Sequence, residues 1–409
     1  MSKNADKAIG NPREDTIATV INLMRYLPQC SRAELSKVSG LVRSTITNII
    51  DMLIKSNLVL ETGYISQNCG RRSIKITLNS DKLVVLGIAV TRKDYAFSII
   101  DVFGKVRAKE KYSFYEKFER ANIEELFKNI LDMAERFIKK NAMQPIGVGL
   151  ALPGPYLINE KKIMFLTQFG WERYSFIKMF EDRLQIPVYM ERDTNAGVMG
   201  EWWFENRHEK DGTKMFISTG DGVGVGIIVD GKIYHGESGT PGELGHMSIN
   251  FKGPKCKCGN RGCLEGYCTE DEIKRQISRL MANKDTNVFY QPIHDFDDII
   301  SAYHHGNPVV CHVVNKVGEI LGVGLANLIY LYDPGIIIIG GRLSKFGNSF
   351  LEAIKNSVKS HTYPFFHDKV DFKLSSTEND PVLMGAAAIA FDELLKNPLA
   401  LINQKSNLY

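Results

Sequence analysis

One order of elements is spelled twice in this 409-residue chain, and that repetition constrains its fold more than any other feature. Leu83–Val90, Tyr95–Ile100 and a third segment after Gly104 read as the strands of a β-meander. An amphipathic helix is expected at about 122–140, then a buried strand, Ile146–Leu152. The order restarts at Met215–Ile228. It continues with a long helix near 307–331, the strand Gly335–Gly340 and a helix near 345–359. Strands followed by alternating helix and strand, used twice, predict two α/β lobes with a cleft between them. The expected boundaries are 81–200 and 201–409, with a last helix, about Val382–Leu395, packing back on the first lobe.

The first 80 residues read differently. They carry 11 Lys/Arg against 6 Asp/Glu, whereas the rest carries 40 against 41, so the basic excess sits in a small head. Such a split is the footprint of a unit that meets nucleic acid. Ile17, Val20, Ile21, Met24 and Leu27 recur at helical spacing, and Ser31-Arg-Ala-Glu34 has the form of a capping box. After the Ser39-Gly40 turn, Val42, Ile46, Ile49, Ile50 and Leu53 share one face of a third helix. Opposite lie Arg43, Ser44, Thr47 and Asn48, side chains suited to base edges. Two alternating segments, Leu58–Gly63 and Ser73–Leu78, then frame a wing whose Arg71 and Arg72 would reach phosphates or a minor groove. Residues 1–80 are thus expected to form a winged helix-turn-helix that binds double-stranded DNA. A helical module for protein contacts is the other reading of the same periodicity.

The most specific motif is Gly242-Glu-Leu-Gly-His246 followed by Cys256-Lys-Cys258-Gly-Asn-Arg-Gly-Cys263-Leu-Glu265. One imidazole and three thiolates, His246, Cys256, Cys258 and Cys263, are the ligand set of a structural zinc site. Redox use is the rival, weakened by the lack of a Cys-x-x-Cys pair. Cys268 would compete as a ligand unless the following helix carries it. The sequence reading finds no apolar run near the roughly 20 residues that cross a bilayer, and no apolar signal core at the N-terminus. A cytoplasmic protein without a membrane partner is expected.

From the winged helix to the last helix, the chain resembles the ROK family of repressors and sugar kinases. The zinc motif carries the resemblance, with Ala151-Leu-Pro-Gly154-Pro155, Asp193-Thr-Asn195-Ala-Gly, Gly200-Glu201 and Gly220-Asp-Gly-Val-Gly224. It implies an actin-like (ribonuclease-H-like) sugar-kinase fold in which zinc shapes a sugar site. The added winged helix marks the branch of xylose, glucose and N-acetylglucosamine repressors. Gly154, Asp193, Glu243, His246 and Glu265 would then surround the effector, with Asp193 matching the kinases' general base. Zinc ligation fixes one nitrogen of His246 and leaves the other for a hydroxyl. Taken alone, Glu243 or Glu265 would read as a surface carboxylate; attachment to a metal loop favours the ligand role.

Departures from the family decide against an enzyme. Its kinases carry Asp-x-Gly-Gly-Thr-Lys after the first strand, for magnesium and nucleotide phosphates. Here the stretch is Ala89-Val-Thr-Arg-Lys-Asp94, lacking the carboxylate and both glycines. Asp221 in the second loop would repel a phosphate, and its glycines suit a tight hairpin. Arg192 stands where the kinases commonly have Asn; it would meet an anionic ligand, turn outward or pair with Asp193. Thr167-Gln168-Phe-Gly-Trp171 lacks the sugar-facing Asn unless Gln168 substitutes. The expectation is a homodimeric or tetrameric, sugar-responsive repressor. An active kinase with an added DNA-binding head, or a regulator whose effector is a protein, are the alternatives.

Overall fold

The head is built from three helices and a hairpin: α1 (Glu14–Tyr26), α2 (Arg32–Ser39), α3 (Arg43–Lys55), β1 (Val59–Ile65) and β2 (Ser73–Leu78). The computed structural model describes residues 13–65, 73–114, 123–154, 156–157, 162–166, 171–174, 177–205, 212–282, 293–375 and 379–403. Ser31 caps α2 as its motif requires: Ser31 N donates to Glu34 Oε2 at 2.7 Å, and Glu34 N donates back to Ser31 Oγ at 3.2 Å. Ile46, Ile49, Ile50 and Leu53 of α3 bury against Ile17, Val20, Ile21 and Met24. Val42 does not join them. It is the N-cap of α3, extended rather than helical, so it falls off the helical period and stands 67% exposed.

The first lobe comprises β3 (Val84–Val90), β4 (Asp94–Asp101), β5 (Val106–Ser113), α4 (Ile123–Lys140) and β6 (Val148–Leu152). A small sheet follows, β7 (Tyr156–Leu157), β8 (Lys162–Leu166) and β9 (Trp171–Tyr174), then α5 (Ile177–Leu184), β10 (Val188–Arg192) and α6 (Asp193–Gly200). The second lobe opens with β11 (Thr213–Thr219), β12 (Val223–Val229) and β13 (Lys232–Ile233). Its helices are α7 (Glu265–Cys268), α8 (Glu270–Ala282), α9 (Phe296–His304) and α10 (Pro308–Tyr332). Then come β14 (Ile336–Gly341), α11 (Asn348–His361), α12 (Pro364–His367), β15 (Asp371–Leu374), α13 (Pro381–Lys396) and α14 (Pro398–Asn403).

The sheets run β10-β6-β3-β4-β5 and β13-β12-β11-β14-β15. In each, the first strand is central, an antiparallel meander extends to one side and two parallel strands to the other. This is the duplicated actin-like arrangement. Helix α10 is long and apolar enough to cross a bilayer, contrary to the sequence reading. Its Val310, Val314, Val317, Leu321 and Leu325 are buried in the second lobe, as expected of a core helix.

Two helices tie the lobes together. α6 follows the first sheet yet packs on β11 and β12 of the second, while α13 follows the second sheet and packs on β3, β6, β4 and β10 of the first. They cross each other at backbone contact. A Cβ on Gly385 would stand 1.6 Å from the Ala196 carbonyl oxygen, and one on Gly226 would stand 2.0 Å from that of Thr194. Only glycine allows such an approach.

Candidate functional site

The metal-ligand motif folds into a cluster. His246 ends a short 3₁₀ turn, Leu244–His246, and the loop bearing Cys256 and Cys258 folds back on itself, Cys256 N donating to Asn260 O at 2.8 Å. One donor atom from each of His246, Cys256, Cys258 and Cys263 lies within 4.8 Å of the others. Cys256 Sγ is 3.7 Å from His246 Nδ1, and Cys258 Sγ is 3.7 Å from Cys263 Sγ. Tetrahedral ligands at ~2.3 Å from an ion stand about 3.7 Å apart, so the donor set fits such an ion. Cys268 is buried on α7 with its thiol toward Val317 O, outside the cluster.

The other predicted site residues gather beside the cluster, near the C-terminal ends of the parallel strands β6 and β10. Arg192 pairs with Leu152 in register, so Gly154 lies just past the end of β6, and Asp193 starts α6 just past β10. Loops at this end of an open α/β sheet are where ligands bind. Asp193 Oδ1 accepts from Thr194 N at 2.7 Å. Burial pushes its carboxyl above the usual range, against the pull of the neighbouring Arg192. Glu243 Oε2 is 4.0 Å from His246 Nε2, the ring nitrogen turned away from the thiols. Glu265 heads α7, and its Oε2 accepts from Val223 N at 3.3 Å, beside Gly245 and the 220–224 loop.

Arg192 turns inward, against the outward reading. It is 4% exposed; Nη1 donates to Pro241 O, and Nη2 lies 3.4 Å from Glu243 Oε1. The guanidinium thus fixes a cleft carboxylate, with Asp193 a charged neighbour. Sequence reasoning missed Glu191 and His235. Glu191 accepts from Arg192 N at 2.8 Å and Asn195 Nδ2 at 3.0 Å, and its other oxygen lies 2.6 Å from His235 Nε2 in the second lobe. Forty-four residues of separation leave no sequence signal for this pair.

The stretch that replaces the kinases' first phosphate loop meets the second loop directly. Arg92 Nη1 donates to Asp221 O at 3.2 Å, and Lys93 Nζ lies 2.6 Å from Asp221 Oδ1 and 3.3 Å from Glu270 Oε2. Glu270 is buried and also faces Arg342 at 3.5 Å. In the head, Arg43 and Ser44 are exposed on the first turn of α3, and Thr47 and Asn48 are half-buried. The Thr47 hydroxyl donates back to Arg43 O at 2.9 Å. Arg71, Arg72 and Gln168 lie outside the described residues.

A duplicated α/β body, a Cys/His cluster near its strand ends and a helical head define a two-lobed protein of actin-like fold with an added head. The chain belongs to the ROK family, whose profile matches residues 85–393. It is 30% identical over 382 residues to the xylose repressor of Caldicellulosiruptor bescii, covering 90% of this chain and 93% of that protein. With the N-acetylglucosamine repressor of Escherichia coli it shares 25% identity over 407 residues, 98% of either chain. Its fold matches that of a ROK family transcriptional regulator, a homologue of the E. coli MLC protein. The TM-score is 0.82 at 24% identity, over 95% of this chain and 99% of that one. It also matches a ROK glucokinase from Streptomyces griseus solved with glucose and AMPPNP, at a TM-score of 0.65 and 24% identity, over 76% of this chain and 99% of that one.

Proposed function

We propose that the chain is a DNA-binding repressor of carbohydrate genes that releases its operator when a sugar occupies the cleft. The observation that carries this reading is the exchange of a phosphate-binding loop for Arg92 and Lys93, bound to Asp221, in a chain that also carries a helix-turn-helix head. The relatives named as repressors extend over both parts. Gly154, Asp193, Glu243, His246 and Glu265 line the effector site. Their carboxylates offer acceptors to sugar hydroxyls, while Arg192 is engaged by Glu243 and Pro241 O. These features favour a neutral sugar over an anionic one.

His246, Cys256, Cys258 and Cys263 would hold a structural zinc ion. When bound, the ion supplies rigidity, locking the loop so that His246 Nε2 and Glu243 keep their places. Arg43, Ser44, Thr47 and Asn48 read base edges, Arg71 and Arg72 reach the backbone, and a homodimer spans two half-sites.

The test is operator titration, using duplexes selected from random sequence, with D-xylose and N-acetyl-D-glucosamine as probes. Arg43→Ala should cost about 1–3 kcal/mol and relax preference at particular bases. Glu243→Ala should bind operator normally and ignore the sugar that releases wild type. Phosphotransfer from ATP that Asp193→Asn abolishes, or DNA binding without sequence preference, would overturn the reading.

A further inference from the structure

Of the apolar stripe Val42, Ile46, Ile49, Ile50 and Leu53, the last four are wholly buried, while Val42 stands 67% exposed. Leu41 before it packs on the apolar core; Val42 does not. Nor does Val42 serve its helix. It is the N-cap of α3, and its side chain accepts nothing from the first amides. Apolar branched residues are among the weakest N-caps, whereas Ser31 caps α2 fully. The chain thus sets a valine where neither burial nor capping calls for one.

The backbone that presents it is pinned. Gly40 turns left-handed, with φ 70°. Ser36 Oγ donates to Leu41 O at 2.7 Å, Leu41 N donates to Ser39 Oγ at 3.2 Å, and Ser39 Oγ donates to Leu35 O at 2.6 Å. Arg32 of α2 pairs with Asp51 of α3 at 2.7 Å, holding the two helices to each other. A β-branched side chain on such a backbone has little freedom left to lose on contact.

Its surroundings say what it meets. Arg43 and Ser44 follow it, exposed on the first turn of α3, and Lys37 is exposed in the last turn of α2. The only other exposed large apolar residue of these two helices is Val38. An apolar side chain set among cations and a hydroxyl fits a surface that is anionic and polar, with isolated apolar points. The major groove is such a surface: its apolar group is the C5-methyl of thymine, beside acceptors that Arg43 and Ser44 can address. In a helix-turn-helix the N-terminal residues of the second helix meet the base edges. We infer that Val42 reads thymine, packing its methyls against the C5-methyl of one thymine in the site that α3 enters. The inference rests on the DNA-binding reading above and names a base for it.

The test titrates the full-length chain on a duplex selected from random sequence, in which each thymine in turn is replaced by deoxyuridine. That base pairs alike and lacks only the methyl. At one thymine the exchange should weaken wild-type binding about fourfold, the factor for one buried methylene-sized group. Val42→Ala should bind the parent duplex more weakly and be indifferent to the same exchange. Val42→Thr, which keeps one methyl, should retain part of the effect, and Val38→Ala all of it. Val42→Ser supplies the missing cap, so it should melt no lower than wild type while losing the thymine preference. A Val42→Ser chain that melts lower would make Val42 a structural residue and overturn the inference. So would an exchange that changes nothing at any thymine, or one that weakens Val42→Ala as much as wild type. A chain that selects no sequence at all fails the DNA-binding reading and takes this inference with it; a selected duplex with uncoupled methyl effects fails this inference alone.

Discussion

A single methyl group on Gly385 should pull apart the helices that join the lobes. A Cβ there would stand 1.6 Å from Ala196 O and 2.3 Å from Ala196 C, whereas ordinary contact begins at 3.4 Å. The obstacle is backbone, so it cannot swing aside as a side chain can. α13 must retreat from α6 by about 1.8 Å, the difference between contact and overlap. A gap of 0.5–1 Å already forfeits roughly a quarter to a half of a dispersion contact. The retreat would therefore open a crossing where Ala196 meets Gly385 and Gly200 meets Pro381. The cost should reach about 3 kcal/mol, the upper end for an inserted methylene, and lower Tm on the order of 5 °C. Thermal melts by circular dichroism of wild type and Gly385→Ala measure this. Gly266→Ala on α7 is the control, because nothing stands within 4 Å of its would-be Cβ. That change should be neutral or stabilise by about 0.4–1 kcal/mol. If Gly385→Ala melts with wild type, the helices do not cross at backbone contact and the link between the lobes has been misread.

Two further predictions concern ionisation and metal. Because the Asp193 carboxyl is raised in the folded chain, the folded state holds that proton more tightly; the stability this gives is complete below the unfolded value of 3.8 and is lost as pH rises through the folded value. Asp193→Asn should remove that part of the pH dependence in urea unfolding, and parallel curves for the two proteins would contradict it. Purified protein should carry about one zinc per chain. Cys258→Ser should lower the zinc content and weaken sugar response together, since the ion and the loop that places Glu243 are coupled; full zinc with a normal response would count against the cluster.

The head and the duplicated lobes were legible because burial there follows simple periods. The α3 stripe, Ile46 to Leu53, and the all-buried β3 run, Val84–Val90, are patterns that a core imposes directly on sequence. The metal cluster was legible for a chemical reason, since few arrangements bring three thiols and an imidazole so close in sequence. Short elements escaped: β13 has two residues and β15 four, too few for any period to show. The 220–224 glycines read as a second phosphate loop or a tight hairpin, and Gly226 only as part of the segment Met215–Ile228. Thr219 does pair with Val223 across that hairpin, but Gly226 also makes room for the Thr194 backbone of α6, a tertiary demand with no local trace. The inward turn of Arg192 toward Glu243 escaped for the same reason. That partner lies fifty-one residues away, on a loop fixed by the Cys/His cluster.

The exchange of phosphate loops for side-chain pairs changes what closing the cleft requires. In the family's kinases a nucleotide supplies the anion between the lobes; here Asp221 supplies it from within, held by Arg92 and Lys93. The outer pair is weak. Lys93 is 61% exposed, and exposed ion pairs contribute about 0–1 kcal/mol. The inner partner is different, for Glu270 is 4% exposed and cannot lose Lys93 and Arg342 without leaving a buried charge uncompensated. Opening would break both Lys93 contacts while leaving Glu270 beside Arg342 of its own lobe. A ligand shifts the balance of open and closed forms only by its difference in affinity for the two states. On the proposed reading, hydroxyl contacts of one sugar with Asp193, Glu243 and Glu265 would supply the roughly 1–3 kcal/mol of an ordinary coupling energy. On the same reading, a body that carries its own bridging anion would answer to the sugar without a nucleotide.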